Sequence, residues 1–162
     1  MRKIKHNNLF GYALSKRQGI ITIKIGKKIN KLSVSYYWAR KKYWPELERK
    51  ALKKIKGKSI LDIGAGTGRH AIYLKDYNLA TIEKSPILYN ILRKCKLNPF
   101  LIDITKEKPP KKYENILLLD NNIGLTNRTK DLLKKLKELL TVNGQLIIVA
   151  NNVDKTKTVK IN

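Results

Sequence analysis

Residues 60–69 have the types and spacing that most clearly predict chemistry in this chain. The apolar run Ile60-Leu61-Asp62-Ile63 leads directly into the turn Gly64-Ala65-Gly66-Thr67-Gly68. A strand, a glycine-rich turn and an amphipathic segment in that order are typical of α/β sheets that present backbone N–H groups to a nucleotide-like ligand. Glycine lets the backbone bend sharply and leaves no Cβ between it and the ligand. The spacing G-x-G-x-G differs from the dinucleotide fingerprint, which reads G-x-G-x-x-G.

Acidic residues stand at the ends of the predicted strands. The chain has 12 Asp and Glu residues among 162, and four of them end strand-like runs: Asp62, Glu83, Asp103 and Asp120. In an open parallel sheet, ligands bind outside the carboxyl ends of the strands, where the strand order reverses. Glu83 lies about 20 residues beyond the glycine turn, the distance expected for an acid that accepts hydrogen bonds from ribose hydroxyls. We therefore expect the four carboxylates to meet at one ligand site.

Strands and helices alternate after residue 58, which predicts an α/β domain. The expected strands are short and apolar, and they span residues 59–62, 79–83, 100–103, 115–120 and 145–150. The expected helices span residues 68–76, 86–96 and 127–140. Ser85 and Pro86 are good capping and first residues for the second of these helices. A Lys-rich polar tail is expected after the last strand.

The N-terminal part is basic, because no acidic residue precedes Glu46. A short helix is expected over residues 9–16. Residues 19–25 and 32–37 alternate and are rich in β-branched or aromatic side chains, with Gly26-Lys27-Lys28 as a turn between them, so we predict a β-hairpin. A helix that begins after Pro45 leads to the first strand. We therefore divide the chain into a basic N-terminal extension with a β-hairpin, residues 1–44, and a core, residues 45–162.

The segment Tyr36-Tyr37-Trp38-Ala39-Arg40-Lys41-Lys42-Tyr43-Trp44 interleaves aromatic rings with cations. Rings that stack on bases beside cations that meet phosphates are typical of RNA or single-strand binding. Two other interpretations stay open. The rings of a connecting segment can cover the edge of the core, or the segment can cap the ligand pocket of the domain that follows.

The overall charge is strongly positive, with 36 Lys and Arg residues against 12 acidic ones and a formal net charge of +24. Such a field attracts polyanions, nucleic acid first and acidic membrane surfaces second, although a solvated lysine-rich surface has the same composition. No apolar run approaches the length of a membrane span. The single cysteine, Cys95, excludes an intramolecular disulfide and suits a reducing compartment. We expect a soluble cytoplasmic protein with no membrane partner and, because His and Cys residues are not clustered, no metal site.

Residues 58–150 resemble the cofactor-binding core of the class I S-adenosylmethionine (SAM)-dependent methyltransferases. The first motif of that family has the order D-x-G-x-G-x-G, which is found here from Asp62 to Gly68. Three further stretches resemble a small microbial subgroup of the family: Tyr43-Trp44-Pro45-Glu46-Leu47-Glu48, Gly68-Arg69-His70 and Leu117-Leu118-Leu119-Asp120-Asn121-Asn122-Ile123-Gly124. The resemblance implies a Rossmann-like parallel sheet of strand order 3-2-1-4-5 flanked by helices. It also implies SAM as the cofactor and methyl transfer as the activity.

The resemblance assigns roles to the acidic residues, because SAM carries a sulfonium, an ammonium and a ribose diol. Glu83 would accept hydrogen bonds from the ribose hydroxyls, Asp103 from the adenine amino group, and Asp62 would compensate the methionine ammonium. Asp120 is the candidate for deprotonating the acceptor, and Asn121 would hold an acceptor N–H, so these two are the expected catalytic residues. The implied cofactor-binding residues are Asp62, Gly64, Ala65, Gly66, Gly68, Glu83, Lys84, Asp103, Ile104 and Asp120.

The sequence departs from the family pattern in two places. Members of the family usually add two strands after strand five, the last one antiparallel, and this sequence is expected to lack them. Strand five would then have an open edge, which the hairpin, a second copy in a homodimer or another partner chain would cover. The Asn-Pro-Pro-aromatic motif of amino-methylating nucleic-acid enzymes is absent, and Asp120-Asn121-Asn122 stands in its place.

Three functions are compatible with these observations. The charge favours a methyltransferase that acts on RNA or on an RNA-associated protein. If the charge is incidental, a small-molecule methyltransferase is favoured. The missing strands agree with a third hypothesis, a non-catalytic protein that binds SAM or nucleic acid and whose fold a partner completes.

Overall fold

The N-terminal part of the chain contains a helix and a β-hairpin. The computed structural model describes residues 8–25, 28–151 and 156–161. Helix α1 (Leu9–Ser15) is followed by β1 (Ile20–Ile25) and β2 (Lys28–Ser33), which pair antiparallel. The predicted helix and hairpin are therefore confirmed. Gly26 and Lys27 of the predicted turn lie outside the described residues.

The second hairpin strand ends earlier than the sequence predicts. A strand is expected over residues 32–37, but β2 ends at residue 33, and Val34–Trp38 forms a 3-10 helix. Val34 is buried in a small core with Leu14 of α1 and Leu88. The prediction is wrong at this point because tertiary packing overrides the strand propensity of the β-branched and aromatic residues.

Six strands form the main sheet. After a second 3-10 turn (Lys41–Tyr43) and helix α2 (Glu46–Leu52), the strands follow as β3 (Ser59–Ile63), β4 (Asn78–Glu83), β5 (Pro99–Leu101), β6 (Tyr113–Leu118), β7 (Leu140–Asn151) and β8 (Thr156–Ile161). Their order across the sheet is β5-β4-β3-β6-β7-β8. Strands β3 to β7 are parallel, and they confirm the predicted order 3-2-1-4-5, in which β3 is strand one.

Helices cover both faces of this sheet. One face packs against α2, against α3 (Pro86–Lys94) and against the segment between β3 and β4. The other face packs against α4 (Thr129–Glu138), through Leu132 and Leu136. Side chains of β6 alternate between the two cores, which explains why that strand is a continuous apolar run. No helix in the described part of the chain is both long enough and apolar enough to cross a membrane.

The segment after the glycine turn is not an α-helix. The sequence predicts a helix over residues 68–76, but only Ala71–Leu74 is helical, and it is a 3-10 helix. Tyr73 N–H donates to the carbonyl of His70, three residues earlier. Ala71 and Leu74 are both buried, and a 3-10 helix places residues three apart on the same side. The prediction is wrong because burying these two residues before β4 begins favours the tighter helix.

The C-terminal segment adds an antiparallel strand to the sheet. β8 pairs with β7, so that Leu146 lies opposite Ile161 and Asn151 lies opposite Thr156. Two expectations are therefore wrong: a strand, not a polar tail, follows β7, and the edge of β7 is covered by the chain itself.

Candidate functional site

The glycine turn joins β3 to the 3-10 helix, and its backbone is held tightly. Gly64, Gly66 and Gly68 have φ of +71°, +60° and +83°, the left-handed region that favours glycine. A Cβ at Gly64 would come within 2.7 Å of Asn122 Nδ2, and one at Gly68 within 2.7 Å of Leu97 Cδ1. A Cβ at Gly66 would meet nothing closer than 3.9 Å. The turn therefore packs closely at its two ends and leaves space at its centre.

A cavity of about 230 Å³ opens beside this turn, at the carboxyl ends of the parallel strands. The sequence-predicted residues that line it are Asp62, Gly64, Ala65, Gly66, Glu83, Lys84, Asp103, Ile104 and Asp120. Two predicted residues do not line it. Gly68 packs against Leu92 and Leu97 on the core side, and Asn121 is exposed, so the role assigned to Asn121 stays a prediction. The structure thus brings all four strand-end acids to one place.

Glu83, at the end of β4, connects the glycine turn to the start of α3. Its Oε2 accepts from Gly66 N–H at 3.0 Å, and its Oε1 accepts from Ser85 N–H at 2.9 Å. Burial raises the pKa of Glu83, and these backbone donors oppose that rise. Each carboxylate oxygen has a second lone-pair site, so Glu83 retains the capacity to accept from two further hydroxyl groups.

Asp62, in β3, is the most isolated carboxylate of the cavity. It is 2% exposed, and its Oδ2 has no hydrogen-bond partner in the described part of the chain. Burial raises the pKa of Asp62 to about 6, with His70 opposing the rise and Glu83 adding to it. A buried carboxylate oxygen without a donor is costly, and a cationic N–H donor from a ligand would satisfy it. The residue therefore fits an ammonium group.

Asp103 and Ile104 follow β5 at the far side of the cavity. Asp103 Oδ1 accepts from Thr105 Oγ1 at 2.6 Å and from Thr105 N–H at 3.0 Å, and these bonds hold the pKa of Asp103 below its usual range. Ile104 is buried, and it lines the cavity together with Ile102. This side of the cavity offers an apolar wall beside an ionised carboxylate, which suits an aromatic base with an exocyclic amino group.

The loop after β6 is anchored to the glycine turn. Asp120 and Asn121 have φ of +51° and +63°, and Asn122 Nδ2 donates to the carbonyls of Ile63 and Gly64 at 2.8 and 2.9 Å. Asn122 also lines the cavity. Burial raises the pKa of Asp120, so this carboxylate is a better proton acceptor than a solvated one.

A buried network beside the cavity was not predicted from the sequence. Glu48 of α2 is 2% exposed. Its Oε1 accepts from Arg69 Nη2 at 2.8 Å, and its Oε2 lies 2.8 Å from His70 Nε2. Tyr36 Oη donates to Asp120 Oδ1 at 3.2 Å. Glu48, Arg69 and His70 occur in the stretches that carry the family resemblance, but sequence spacing alone did not show that they meet.

The N-terminal extension forms one wall of the cavity. Phe10, Gly11 and Leu14 of α1 line it together with Tyr37. Thr67 Oγ1, in the glycine turn, donates to the carbonyl of Tyr37. Of the three interpretations of the aromatic segment, two are therefore observed: Tyr37 caps the ligand pocket, while Trp38 packs against the small core of Leu14, Val34 and Leu88, and Trp44 is buried. Within the described residues, no group of three or more His, Cys, Asp or Glu side chains is arranged to hold a metal ion.

The five parallel strands in the order β5-β4-β3-β6-β7, with the glycine turn after β3, define the Rossmann-like fold of class I SAM-dependent methyltransferases. Comparison by sequence finds no matching family model and no matching curated protein.

Among solved structures, the chain is similar to a SAM-dependent methyltransferase from Bacteroides fragilis in complex with S-adenosyl-L-homocysteine (SAH), with a TM-score of 0.80 and 23% identity over 90% of this chain. It spans 65% of that protein, less than two thirds of its length.

Two further solved structures are similar over a smaller part of the chain. The plantazolicin methyltransferase BpumL, in complex with a pentazolic desmethylPZN analog and SAH, has a TM-score of 0.56 and 29% identity, over 67% of this chain and 44% of that one. A SAM-dependent methyltransferase from Thermotoga maritima, a possible histamine N-methyltransferase, has a TM-score of 0.56 and 22% identity, over 64% of this chain and 49% of that one.

Proposed function

We propose that the protein is a SAM-dependent methyltransferase. The observation that carries this proposal is the cavity at the glycine turn, where four strand-end acids meet and where Asp62 Oδ2 has no donor within the described residues. Similar proteins of the same fold are crystallised with SAH, which supports the same class of ligand here.

The residues of the cavity fit the parts of SAM. Glu83 has acceptor capacity left for the two ribose hydroxyls, and Asp103, beside the wall of Ile102 and Ile104, suits adenine with its amino group. Asp62 fits the ammonium of the methionine part. The open space at Gly66 lets the backbone approach the ligand.

SAM supplies a methyl group on a positively charged sulfur, so the carbon is already activated for displacement. The task of the chain is then to align the acceptor and to exclude water. Asp120 lies at the cavity, holds the hydroxyl of Tyr36 and has a raised pKa, so it is the residue that would accept a proton from the acceptor. Tyr37 and α1 would limit the access of water from the N-terminal side.

We propose RNA or an RNA-associated protein as the acceptor. Two exposed cations, Arg40 and Lys42, surround a shallow surface depression together with Tyr36, Trp38 and Tyr43. Tyr36 connects this depression to the cavity, because its hydroxyl donates to Asp120. Lys42 Nζ lies 4.8 Å from the centre of the Tyr43 ring, and 68% of Tyr43 is exposed. Exposed rings beside cations suit bases beside phosphates, and this supports an acceptor with a phosphate backbone.

A small-molecule acceptor is the second candidate. It is supported by the covering of the cavity by α1 and Tyr37, because an enclosed site suits a small ligand. The plantazolicin and possible histamine methyltransferases are neighbours of the fold that are consistent with it. A non-catalytic protein is less favoured, since β8 supplies one of the strands expected to be missing. A homodimer stays a prediction, but β7 does not need it for pairing.

The acceptor can be found by incubating the protein with methyl-labelled SAM and cell extract, then separating RNA, protein and small molecules. Label in the RNA or protein fraction supports the first candidate, and label in small molecules supports the second. An Asp120→Asn variant serves as the control for enzyme-dependent transfer. Binding of SAM without transfer to any fraction would favour the non-catalytic hypothesis.

A further inference from the structure

A groove of about 760 Å³ lies at the amino ends of the parallel strands, opposite the cavity. It is bordered by α4, by the first residues of β7 and by Lys56, which precedes β3. Leu133, Leu140 and Leu146 supply its apolar surface. None of the described residues that line it is acidic or aromatic. The groove is therefore an apolar surface apart from the candidate functional site.

Four lysines surround this groove: Lys56, Lys130, Lys134 and Lys137. All four are exposed, and none of them forms an ion pair within the described part of the chain. The last three are spaced i, i+4 and i+7 in α4, so they form a row of about 10 Å along one face of the helix. The groove thus has an apolar lining and a row of cations beside it.

The acidic residues of α4 do not compensate this row of lysines. Asp131 forms an ion pair with Arg128, and Glu138 forms one with Lys108. Neither Asp131 nor Glu138 lines the groove. The positive charge at the groove is therefore available to an acidic partner.

A bulge in β7 forms one rim of the groove. The pairing of β7 with β6 stops at Leu140 and resumes at Gln145, so that residues 141–144 leave the ladder. The bulge is closely packed, because a Cβ at Gly144 would come within 3.0 Å of backbone oxygens. Val142, within the bulge, is 91% exposed. Bulges re-aim side chains, and this one holds an apolar side chain in solvent at the rim of the groove.

We propose that this groove binds an acidic amphipathic helix of a partner protein. The apolar face of such a helix would cover the three leucines, and its Asp and Glu side chains would meet the row of lysines. The groove and the cavity share no lining residue, so a bound partner would leave the cavity accessible. Binding of the partner therefore does not depend on the proposed function.

Two other occupants fit the groove less well. A second copy of the chain carries a net charge of +24 and would be repelled by the lysines. RNA would find no aromatic ring among the described lining residues on which a base could stack. The apolar lining would also remain uncovered by a phosphate backbone. An acidic helix satisfies both the charge and the apolar surface.

The first test uses a fluorescent peptide of about 15 residues, long enough to form a helix, with Leu along one face and Glu beside it. A peptide of the same composition in scrambled order is the control. In fluorescence anisotropy, the full chain should bind the amphipathic peptide at least about ten-fold more tightly than the scrambled one, the gain expected from burying one Leu side chain. Equal affinities for the two peptides, or no binding of either, would overturn the proposal.

The second test locates the amphipathic peptide on the protein. Lys130→Gln with Lys134→Gln should weaken its binding about five-fold, the size expected for two exposed ion pairs. Arg40→Gln with Lys42→Gln removes the same charge from another exposed surface and should leave the affinity unchanged. An unchanged affinity in the α4 variant, or an equal loss in both variants, would overturn the proposal. Displacement of the peptide by an equimolar single-stranded RNA oligonucleotide would assign the groove to RNA and would also overturn it.

Discussion

At the level of single residues, the cavity contains a buried carboxylate whose charge the surrounding side chains compensate only in part. Asp62 is buried, its Oδ2 has no donor among the residues that the structure describes, and burial raises its pKa to about 6. At neutral pH the side chain is therefore ionised in an unfavourable environment. Such a residue lowers the stability of the free protein and gains from a cationic ligand.

Asp62→Asn should raise the melting temperature of the ligand-free protein at pH 7.5 and weaken SAM binding. The folded pKa of Asp62 lies above its value in the unfolded chain, so stability is lost as pH rises from about 4 to about 6 and stays lower above that. The variant should lack this loss. Thermal unfolding at pH 5 and 7.5 measures the melting temperatures of the variant and the parent. Asp76→Asn, at an exposed position, is the control. A lower melting temperature of the variant at pH 7.5 would contradict the assignment.

Glu83→Ala should weaken SAM binding by roughly 1–3 kcal/mol, the usual penalty for losing a buried charged partner. The loss has two parts, because Glu83 holds Gly66 N–H and Ser85 N–H and is expected to hold the ribose. Glu83→Gln should lie between the parent and Glu83→Ala, since its NH₂ must face one backbone donor. Calorimetric titration measures the effect. Glu107→Ala, at an exposed site, should bind like the parent, and parent-like binding by Glu83→Ala would contradict the ribose role.

At the level of elements, the glycine turn has one glycine that packs against the core and another that borders open space. A side chain at Gly68 would meet the core leucines Leu92 and Leu97, whereas one at Gly66 would enter open space. Both glycines have positive φ, so a substitution at either costs about 1–2 kcal/mol of backbone strain. A difference in stability between variants at Gly66 and Gly68 therefore reflects the atoms that surround each position.

Gly66→Val should abolish or strongly reduce SAM binding, and it should lower the free energy of unfolding only by the cost of backbone strain at positive φ. Gly68→Val should lower stability by clearly more, because two buried leucines must move. Urea unfolding and SAM titration of the two variants measure both quantities. Equal losses of stability, with SAM binding retained in Gly66→Val, would show that the ligand does not approach the centre of the turn.

The parallel strands and their order could be predicted because the sequence patterns that indicate them lie within short stretches of the chain. β6 is a continuous apolar run, and the acid at the end of each strand agrees with the resemblance of the glycine turn. The residues of the cavity followed from the same pattern, since the carboxyl ends of parallel strands meet at one edge. The 3-10 helix at Ala71–Leu74 did not follow, because two buried residues three apart decide it and a helical pattern contains the same spacing.

The network around Glu48 could not be predicted, for a physical reason. An acid in the first turn of a helix has a sufficient local explanation in the helix dipole, so its sequence position suggests an exposed residue. In the structure, Glu48 is buried by Arg69 and His70, which lie more than 20 positions later and approach it only when the sheet forms. β8 was missed because its lysines and threonines are typical of a solvated tail.

At the level of the whole molecule, the cavity is an acidic site in a basic protein. Four of the 12 acidic residues line it, while the net charge of the chain is +24. This distribution suits a cationic cofactor bound inside and a polyanion outside. The exposed cations of the surface depression, Arg40 and Lys42, are therefore the place to test the proposed RNA binding.

Replacing Arg40 and Lys42 by Gln should weaken RNA binding and flatten its dependence on salt, by about 0.7–0.9 in the slope for each phosphate that no longer meets a cation. Both residues are exposed, so the fold should tolerate the change. Lys130→Gln with Lys134→Gln removes the same charge from α4 and is the matched control. The slope should change in the first pair only. An equal change of the salt slope in both double variants would show that RNA binding depends on net charge alone, and it would favour a small-molecule acceptor.

Binding of SAH to the folded chain shows whether the cavity at the glycine turn is a site for SAM. Thermal unfolding of the full chain with SAH at 100 times its dissociation constant should show stabilisation of about 2.7 kcal/mol, because the ligand binds only the folded state. NAD at the same concentration should leave the melting temperature unchanged, since the glycine spacing departs from the dinucleotide fingerprint. A folded protein whose melting temperature does not respond to millimolar SAH would contradict the account.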